Sequence, residues 1–230
     1  MEISFGEHWI GHIGPMQVHV DTILTAWLAM AFLIIVALII RFNLERIPSK
    51  IQALAEMALD FIKNMATGQI GKDGRKHVAL IASLFLFILT ANLMGQLPWK
   101  LIHLKEGEFA SPTNDINTTA ALAIIVLIYY LGAGIMKKGL FGHIKHYFQP
   151  VWFMAPMNLL EDVTRPFSLA LRLFANILAG EVIIMVLVAL IPIGLPIPMV
   201  LFELFVAFIQ AFIFAILAAS YIGAVTSEEH

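Results

Sequence analysis

The sequence predicts an all-α integral membrane protein with five membrane-crossing helices and one amphipathic helix at the membrane interface. Of its 230 residues, 60% are apolar and only 13% are charged, and the mean hydropathy is +0.88. Five apolar runs each approach the length of about 20 residues that a helix needs to cross a bilayer. The chain has no cysteine, which excludes disulfides and thiolate metal sites.

The five apolar runs cover residues 22–40, 78–97, 119–136, 167–191 and 197–221. They leave residues 1–21 as an outer segment, and we predict that the whole chain, 1–230, forms one membrane domain. The first residues are acidic and lack the basic leader of a secretory signal, so we expect the first span to be retained.

Lysine and arginine are distributed unevenly between the two sides of the predicted helices. Of the 14 basic residues, Lys100 and Lys105 fall on one side, Arg172 lies within a span, and the other eleven fall on the opposite side. Because the side richer in Lys and Arg is normally cytoplasmic, we predict an external amino terminus and a cytoplasmic carboxyl terminus.

Residues 51–66, between the first two spans, show the periodicity of an amphipathic helix. Its apolar face consists of Ile51, Leu54, Ala58, Phe61, Ile62 and Met65, and its polar face of Gln52, Glu56, Asp60, Lys63 and Asn64. We predict a helix on the cytoplasmic interface, and the alternative is a helix packed against the bundle. On the outer side, Ser111 to Asp115 (SPTND) predicts a turn followed by a helix start.

Arg172 is a permanent cation in the fourth predicted span. A charge at bilayer depth costs between ~3 and ~15 kcal/mol, and such residues normally face a protein partner or a water-filled cavity. Arginine does not escape this cost by losing its proton, as lysine can. We therefore expect a partner group opposite Arg172.

Polar residues form one line on each of the last two predicted helices. Ser168, Arg172 and Asn176 follow one another at a spacing of four residues, and Glu181 lies half a turn away from the arginine. On the last helix one stripe contains Glu203, Ala207, Gln210, Phe214 and Tyr221. Each helix thus presents polar groups from an otherwise apolar surface.

The connection at 192–198 (PIGLPIP) predicts a tight hairpin, so the last two helices should pack antiparallel. Glu181 and Glu203 each lie about ten residues from this turn and should reach a similar depth. Two neighbouring carboxyls in a poorly solvated space do not both ionise readily. We therefore expect at least one to exchange protons near neutral pH, which is the chemistry of a proton relay.

Several of these residues also have simpler structural explanations. Asn176 and Gln210 could each bridge two helices by hydrogen bonds, and Ser168 could bond to its own helix backbone. A carboxyl could form a fixed ion pair with the arginine, although the half-turn offset disfavours Glu181.

Outside these helices the sequence predicts no further site. Glu161 and Asp162 are expected to lie at a solvated helix start. The eight histidines lack the helical spacing of a metal site, apart from two pairs in polar segments. No metal or other cofactor is predicted.

Four segments carry an extended motif. They are 112–119 (PTNDINTT), 156–162 (PMNLLED), 164–181 (TRPFSLALRLFANILAGE) and 210–215 (QAFIFA). Together they resemble subunit a of the F-type rotary ATP synthases, especially its chloroplast, cyanobacterial and related bacterial members. The resemblance covers most of the chain from about Leu44 to the end.

The resemblance implies roles for the residues around the cation. It makes Arg172 the stator arginine that faces the ring of c subunits, with Asn176 and Gln210 flanking it. Ser168 lies in the same motif, one helical turn before the arginine.

The resemblance also implies where ions cross. Glu181 matches the acidic residue that lines an ion half-channel, and Glu203 takes a position where members carry histidine or a carboxyl. Asp115 and Asn117 match an outer motif with an expected part in ion uptake. The last two helices are expected to be strongly tilted.

The implied function is a non-catalytic stator subunit with two offset proton half-channels. Its implied partners are the c-subunit ring, the peripheral-stalk b subunits, other ATP synthase subunits and the lipid bilayer, with no nucleic acid.

The expected location is a bacterial plasma membrane, with a thylakoid as the alternative. The transported ion could be sodium in place of the proton. The competing hypotheses are a secondary transporter that binds an anionic substrate at Arg172 and a structural membrane anchor, but no inverted repeat is visible.

Overall fold

The computed structural model describes residues 10–13, 16–96, 111–147, 153, 155–191 and 194–226. Within these ranges, a two-stranded antiparallel sheet precedes six α-helices. The elements are β1 (Ile10–Ile13), β2 (Met16–His19), α1 (Val20–Phe42), α2 (Lys50–Ile70), α3 (Gly74–Gln96), α4 (Ile116–Tyr147), α5 (Ala155–Leu190) and α6 (Pro196–Thr226).

Five of these helices, all except α2, are long and apolar enough to cross a membrane, which confirms the predicted all-α membrane fold. The small sheet outside the spans was not predicted. Its strands have only four residues each, which is too short to show a strand period. The predicted outer loop with Lys100 and Lys105 lies outside the described residues.

Helix α6 is the centre of the bundle and packs against α2, α3, α4 and α5. One of its faces consists of small residues, and Ala211, Ala215 and Ala218 are fully buried there. Small side chains allow helices to approach closely in a membrane, where packing replaces the hydrophobic driving force. Helix α1, by contrast, packs mainly on α3 and exposes most of its apolar side chains.

One half of helix α2 packs against the bundle, and the other half exposes its apolar side chains. Ser49 caps its first turn by accepting a hydrogen bond from the backbone N–H of Gln52. Its second half is packed, with Ile62 fully buried and the ring of Phe61 against those of Phe85 and Phe212. Its first half exposes Ile51 and neighbouring apolar residues. The packed half follows the alternative prediction, and the interfacial position of the exposed half stays a prediction.

Helices α4 and α5 extend well beyond the predicted apolar runs. Helix α5 begins at Ala155 and continues through Pro166, and α4 continues past a kink at Gly139, whose φ is +72°. The runs were limited by apolarity, so they excluded the charged turns at the helix ends. At about 1.5 Å per residue, the 36 residues of α5 span about 54 Å. That exceeds the apolar layer of about 30 Å and leaves room for the expected tilt.

An ion cluster joins the turn before α3 to the end of the α4 span. Asp73 accepts hydrogen bonds from Lys137 Nζ at 2.8 Å and from Lys76 Nζ at 2.9 Å. The bonds from Lys137 and then Lys76 lower the pKa of Asp73 to about 2. This cluster lies at the end of the bundle opposite the turn at Pro112–Asn114.

At the opposite end, a 3₁₀ turn at Pro112–Asn114 contacts α1, α3, α4 and α5. Ser111 caps this turn by accepting from Thr113 N–H, and Thr113 Oγ1 donates to Asn92 Oδ1 of α3 at 2.8 Å. The turn and helix start predicted from Ser111 to Asp115 are therefore present, and α4 begins directly after them at Ile116. The buried hydroxyls hold this turn between the helices and position the residues that follow it.

Candidate functional site

Arg172 lies on the exposed side of α5. It makes no hydrogen bond or ion pair with any residue that the structure describes, and its side chain is exposed. The carboxyls considered as fixed counterions for Arg172 in the sequence do not neutralise it. The described residues therefore leave this cation without the opposite charge that an arginine at membrane depth normally has.

The exposed side of α5 that carries Arg172 is lined by small residues. Ser168, Ala175 and Ala179 are exposed on it, whereas Leu173 and Ile177 are buried on the opposite side. Small residues on an exposed membrane helix surface allow another helix to approach closely. We name this surface, defined by Ser168, Arg172, Ala175 and Ala179, the arginine face.

Glu181 lies away from the arginine face and binds the inserted 3₁₀ turn. Asn114 Nδ2 donates a hydrogen bond of 2.6 Å to Glu181 Oε2, across 67 residues of sequence. The bond fixes the carboxyl at the end of the bundle where α4 begins. Asn114 Oδ1 is buried beside this contact and has no hydrogen-bond partner among the described residues.

Asp115 is the second carboxyl at this end. Its Oδ1 accepts hydrogen bonds from Asn117 N–H at 2.8 Å and from Asn117 Nδ2 at 3.0 Å, which caps the start of α4. Its Oδ2 lies 2.9 Å from Nδ1 of His19, at the start of α1. Asp115 and Asn117 thus join α1 to α4.

Glu203 is buried on α6 and packs directly against α5. A Cβ added to Gly180 would lie 2.6 Å from Glu203 Cδ and would overlap Oε1 of the same carboxyl. The absence of a side chain at Gly180 therefore makes room for this carboxyl next to Glu181. The antiparallel packing and similar depth predicted for Glu181 and Glu203 are both present.

The contact between Gly180 and Glu203 fixes the register of α5 and α6. Arg172 lies eight residues before Gly180, and Gln210 lies seven residues after Glu203. At about 1.5 Å per residue, both lie about 11 Å further along the helix pair than the two carboxyls. Arg172 and Gln210 are therefore at one depth, separate from the acidic end.

The polar stripe of α6 faces into the bundle. Glu203, Ala207 and Gln210 are buried, and Gln210 Nε2 has no hydrogen-bond partner in the described part of the chain. Asn176 on α5 is half-buried. Among the described residues, Nε2 of Gln210 therefore does not donate the hydrogen bond between helices that was considered for this residue.

The charged residues at the other end of α5 pair with one another. Arg165 Nη2 lies 2.6 Å from Glu161 Oε1, and Tyr130 OH donates to Asp162 Oδ1 at 3.1 Å. Glu161 is more than half exposed and Asp162 is half-buried. They lie in the second turn of α5 and not at its start, because the helix begins at Ala155.

Three residues that contribute to this arrangement were not predicted from the sequence, namely His19, Asn114 and Gly180. Asn114 belongs to the SPTND turn, but its contact with Glu181 depends on how far the turn inserts. The contact of His19 could have been predicted from the topology. Helices α1 and α4 both begin at the predicted outer side, so the residues at their starts could meet there. No local signal identifies Gly180 among the 15 glycines.

Comparison with known proteins places this geometry in a family. Residues 23–223 match the family model described as ATP synthase A chain. The chain is 45% identical to ATP synthase subunit a, chloroplastic, of Stigeoclonium helveticum, over 100% of this chain and 94% of that protein. It is 44% identical to the protein with the same description from Oedogonium cardiacum, over 100% of this chain and 91% of that protein.

Proposed function

Because the chain belongs to the family of ATP synthase A chains, we propose that it is the stator subunit through which protons cross the membrane to turn a ring of c subunits. In this proposal it supplies two offset half-channels and the arginine that faces the ring. It has no catalytic site for ATP, and the complex around it couples proton flow to ATP synthesis or hydrolysis.

The observation that carries this proposal is that Arg172 is exposed on the arginine face and pairs with none of the residues in the described ranges. A carboxyl on a rotating ring can enter lipid only when it is neutral, since moving it as an anion would incur the intramembrane charge penalty. Opposite Arg172, the same carboxyl is favoured as an anion. It therefore releases a proton on one side of the arginine and takes up another on the other side.

The outer half-channel in this proposal ends at the carboxyls of Glu181 and Glu203. Asp115 and Asn117 lie at the same end of the bundle, and the bond from Asn114 joins their segment to Glu181. The half-channel thus reaches the ring at a depth about 11 Å from Arg172 along the helix pair.

The residues close to Arg172 have a different role in the proposal. Asn176 and Gln210 flank the arginine and provide polar contacts for the passing carboxylate, and Ser168 extends the small polar face toward the cytoplasm. Fixed positive charge also repels cations from a direct path between the half-channels, as it does in other pores. Proton flow must then turn the ring, with about 2.3 kcal/mol available per charge per 100 mV.

The chain is a multi-pass integral membrane protein, and we propose that its amino terminus is external and its carboxyl terminus cytoplasmic or stromal. The end of the bundle that carries Asp73, Lys76 and Lys137 then faces the compartment where ATP is made. The proposed membrane is a bacterial plasma membrane or a thylakoid. Partners in the assembly are the c-subunit ring, peripheral-stalk b subunits and the lipid bilayer.

Co-purification tests this function against a secondary transporter. We expect the tagged chain, extracted in a mild detergent, to carry with it an oligomer of a small two-helix subunit. Ala175→Trp should remove this oligomer because it blocks the arginine face, whereas Ile128→Trp should not. Ile128 is 65% exposed on α4, where the account places lipid. Isolation of the chain alone, with an anion bound in stoichiometric amount, would instead support the transporter.

Gly180→Ala is expected to reduce ATP-driven proton pumping by about 10- to 100-fold with the complex still assembled. The added methyl overlaps only the end of the Glu203 side chain, so the carboxyl must move while the helix backbones keep their packing. Pumping in membrane vesicles and the yield of the complex measure the two effects.

Gly132→Ala is the matched control, because a Cβ at Gly132 meets no atom within 4 Å. Shortening the displaced side chain in the double variant Gly180→Ala with Glu203→Asp should restore part of the pumping. Normal pumping by Gly180→Ala would show that the position of the Glu203 carboxyl does not matter.

A further inference from the structure

His19 is a partly exposed titratable side chain at the end of the bundle that carries Asp115 and Glu181. Its side chain is 31% exposed, and that of its partner Asp115 is only 6% exposed. The two meet across 96 residues of sequence, with His19 Nδ1 at 2.9 Å from Asp115 Oδ2. The imidazole thus lies between solvent and a buried carboxyl.

The geometry of this pair is fixed from both sides. His19 occupies the position before the first turn of α1, but its side chain makes no capping bond to that helix. Asp115 has its other oxygen, Oδ1, held by two hydrogen bonds from Asn117, so only Oδ2 is directed to the imidazole. The preceding residue, Asn114, binds Glu181 Oε2 at 2.6 Å. The residue that pairs with His19 and the residue that binds Glu181 are therefore consecutive in the chain.

We propose that His19 is the proton-transfer residue at the outer mouth of the half-channel, an inference that rests on the proposed function above. In this step a proton from the outer phase binds Nε2 of a neutral imidazole in the tautomer that carries its proton on Nδ1, the nitrogen that faces Asp115 Oδ2. The Nδ1–H bond breaks as a bond to Oδ2 forms, which leaves a neutral imidazole and a neutral carboxylic acid. Charge and protons balance, and the proton has moved from the surface into the buried cluster.

Imidazole suits this step because it is the side-chain group that ordinarily gains and loses protons between pH 5 and 8. It can therefore take a proton from the outer phase and pass it to a buried carboxyl. The described titratable groups around His19 are acidic on each element. They are Asp21 on α1, Asp115 at the start of α4 and, through Asn114, Glu181 on α5.

His19→Gln distinguishes proton transfer by His19 from a purely structural hydrogen bond between His19 and Asp115. The glutamine amide still donates a hydrogen bond to Asp115 but does not carry a proton at these pH values. The test is ATP synthesis by the purified complex in liposomes at a fixed potassium diffusion potential, with the pH of the outer-side compartment varied. We expect synthesis to fall about tenfold near pH 8 and less than about twofold near pH 5.5, where free protons are abundant.

A second variant, His19→Ala, tests the same step by chemical rescue. Added imidazole and methylimidazoles should restore synthesis near pH 8, with rates that depend on the basicity of the buffer. His77→Gln is the matched control, because His77 is also hydrogen-bonded, to Tyr129 OH at 3.0 Å, but lies at the opposite end of the bundle. It should show neither the pH-dependent loss nor the rescue.

The outcomes separate this inference from the function on which it rests. An equal loss at every pH in His19→Gln, or rescue independent of buffer basicity, would reduce His19 to a structural tether and overturn the inference. If Arg172→Ala abolishes pumping while His19→Gln matches the wild type at every pH, the inference fails and the proposed function stands. If Arg172→Ala leaves coupled pumping intact, the proposed function itself fails.

Discussion

Arg172→Ala is expected to reduce ATP-driven proton pumping to background while the complex still assembles. Without the cation, the rotor carboxyl should hold its proton about 10- to 1,000-fold more tightly at this point, because an opposite charge nearby normally favours the anion to that extent. Without the cation, no charge favours release of the proton on one side of this point over the other. Fluorescence quenching by a pH-sensitive dye in inverted membrane vesicles measures the loss.

A second measurement on Arg172→Ala distinguishes lost coupling from lost assembly. With the catalytic part attached and nucleotide turnover blocked, wild-type vesicles should hold a proton gradient. The variant should leak, because the positive charge between the half-channels is gone.

Arg165→Gln is the matched control on the same helix. Arg165 pairs with Glu161 and Asp162 and lies over the ring of Tyr221, so its replacement removes contacts within this chain and none on the arginine face. Pumping per assembled complex should therefore persist. Coupled pumping in Arg172→Ala at the rate of this control would contradict the mechanism.

Glu181→Gln is expected to lower coupled pumping by about 100-fold, which is the lower range of what a positioned proton-transfer group contributes. The glutamine carbonyl oxygen can still accept the hydrogen bond from Asn114 Nδ2, so the packing of the 3₁₀ turn should be retained. What is lost is the ability to carry a proton. The initial rate of pumping at matched complex content measures the effect.

Two variants control for Glu181→Gln. Glu181→Asp keeps an acid and should retain part of the activity, whereas Glu161→Gln changes an exposed carboxyl of the same helix and should pump normally. Unchanged pumping in Glu181→Gln would remove this carboxyl from the proton path.

The sequence was sufficient to predict the helices and the position of the cation. A run of apolar residues long enough to cross a bilayer has few alternatives to a helix, because the backbone must satisfy its own hydrogen bonds in lipid. The cost of burying Arg172 similarly predicted a partner opposite it, and its exposure without a hydrogen bond or ion pair to any described residue agrees with that reasoning.

Contacts between distant segments could not be predicted in the same way. The pairs Asn114 with Glu181 and His19 with Asp115 join residues far apart in the chain, and no local pattern specifies how far a turn inserts between helices. The direction of the α6 stripe was also open. That helix is apolar nearly all round, so periodicity alone does not decide which side is buried.

The central claim, that the arginine face meets a moving rotor, is tested most directly by disulfide cross-linking. The chain has no cysteine, so Ala175→Cys places a single thiol on the arginine face, and Leu173→Cys places one on the buried side of the same helix. Each is combined with a cysteine beside the carboxyl of the c subunit and oxidised after ATP turnover. The account predicts cross-links from Ala175→Cys and none from Leu173→Cys, with c subunits around the whole ring captured after rotation. A cross-link from Ile128→Cys on α4 in place of Ala175→Cys would contradict it.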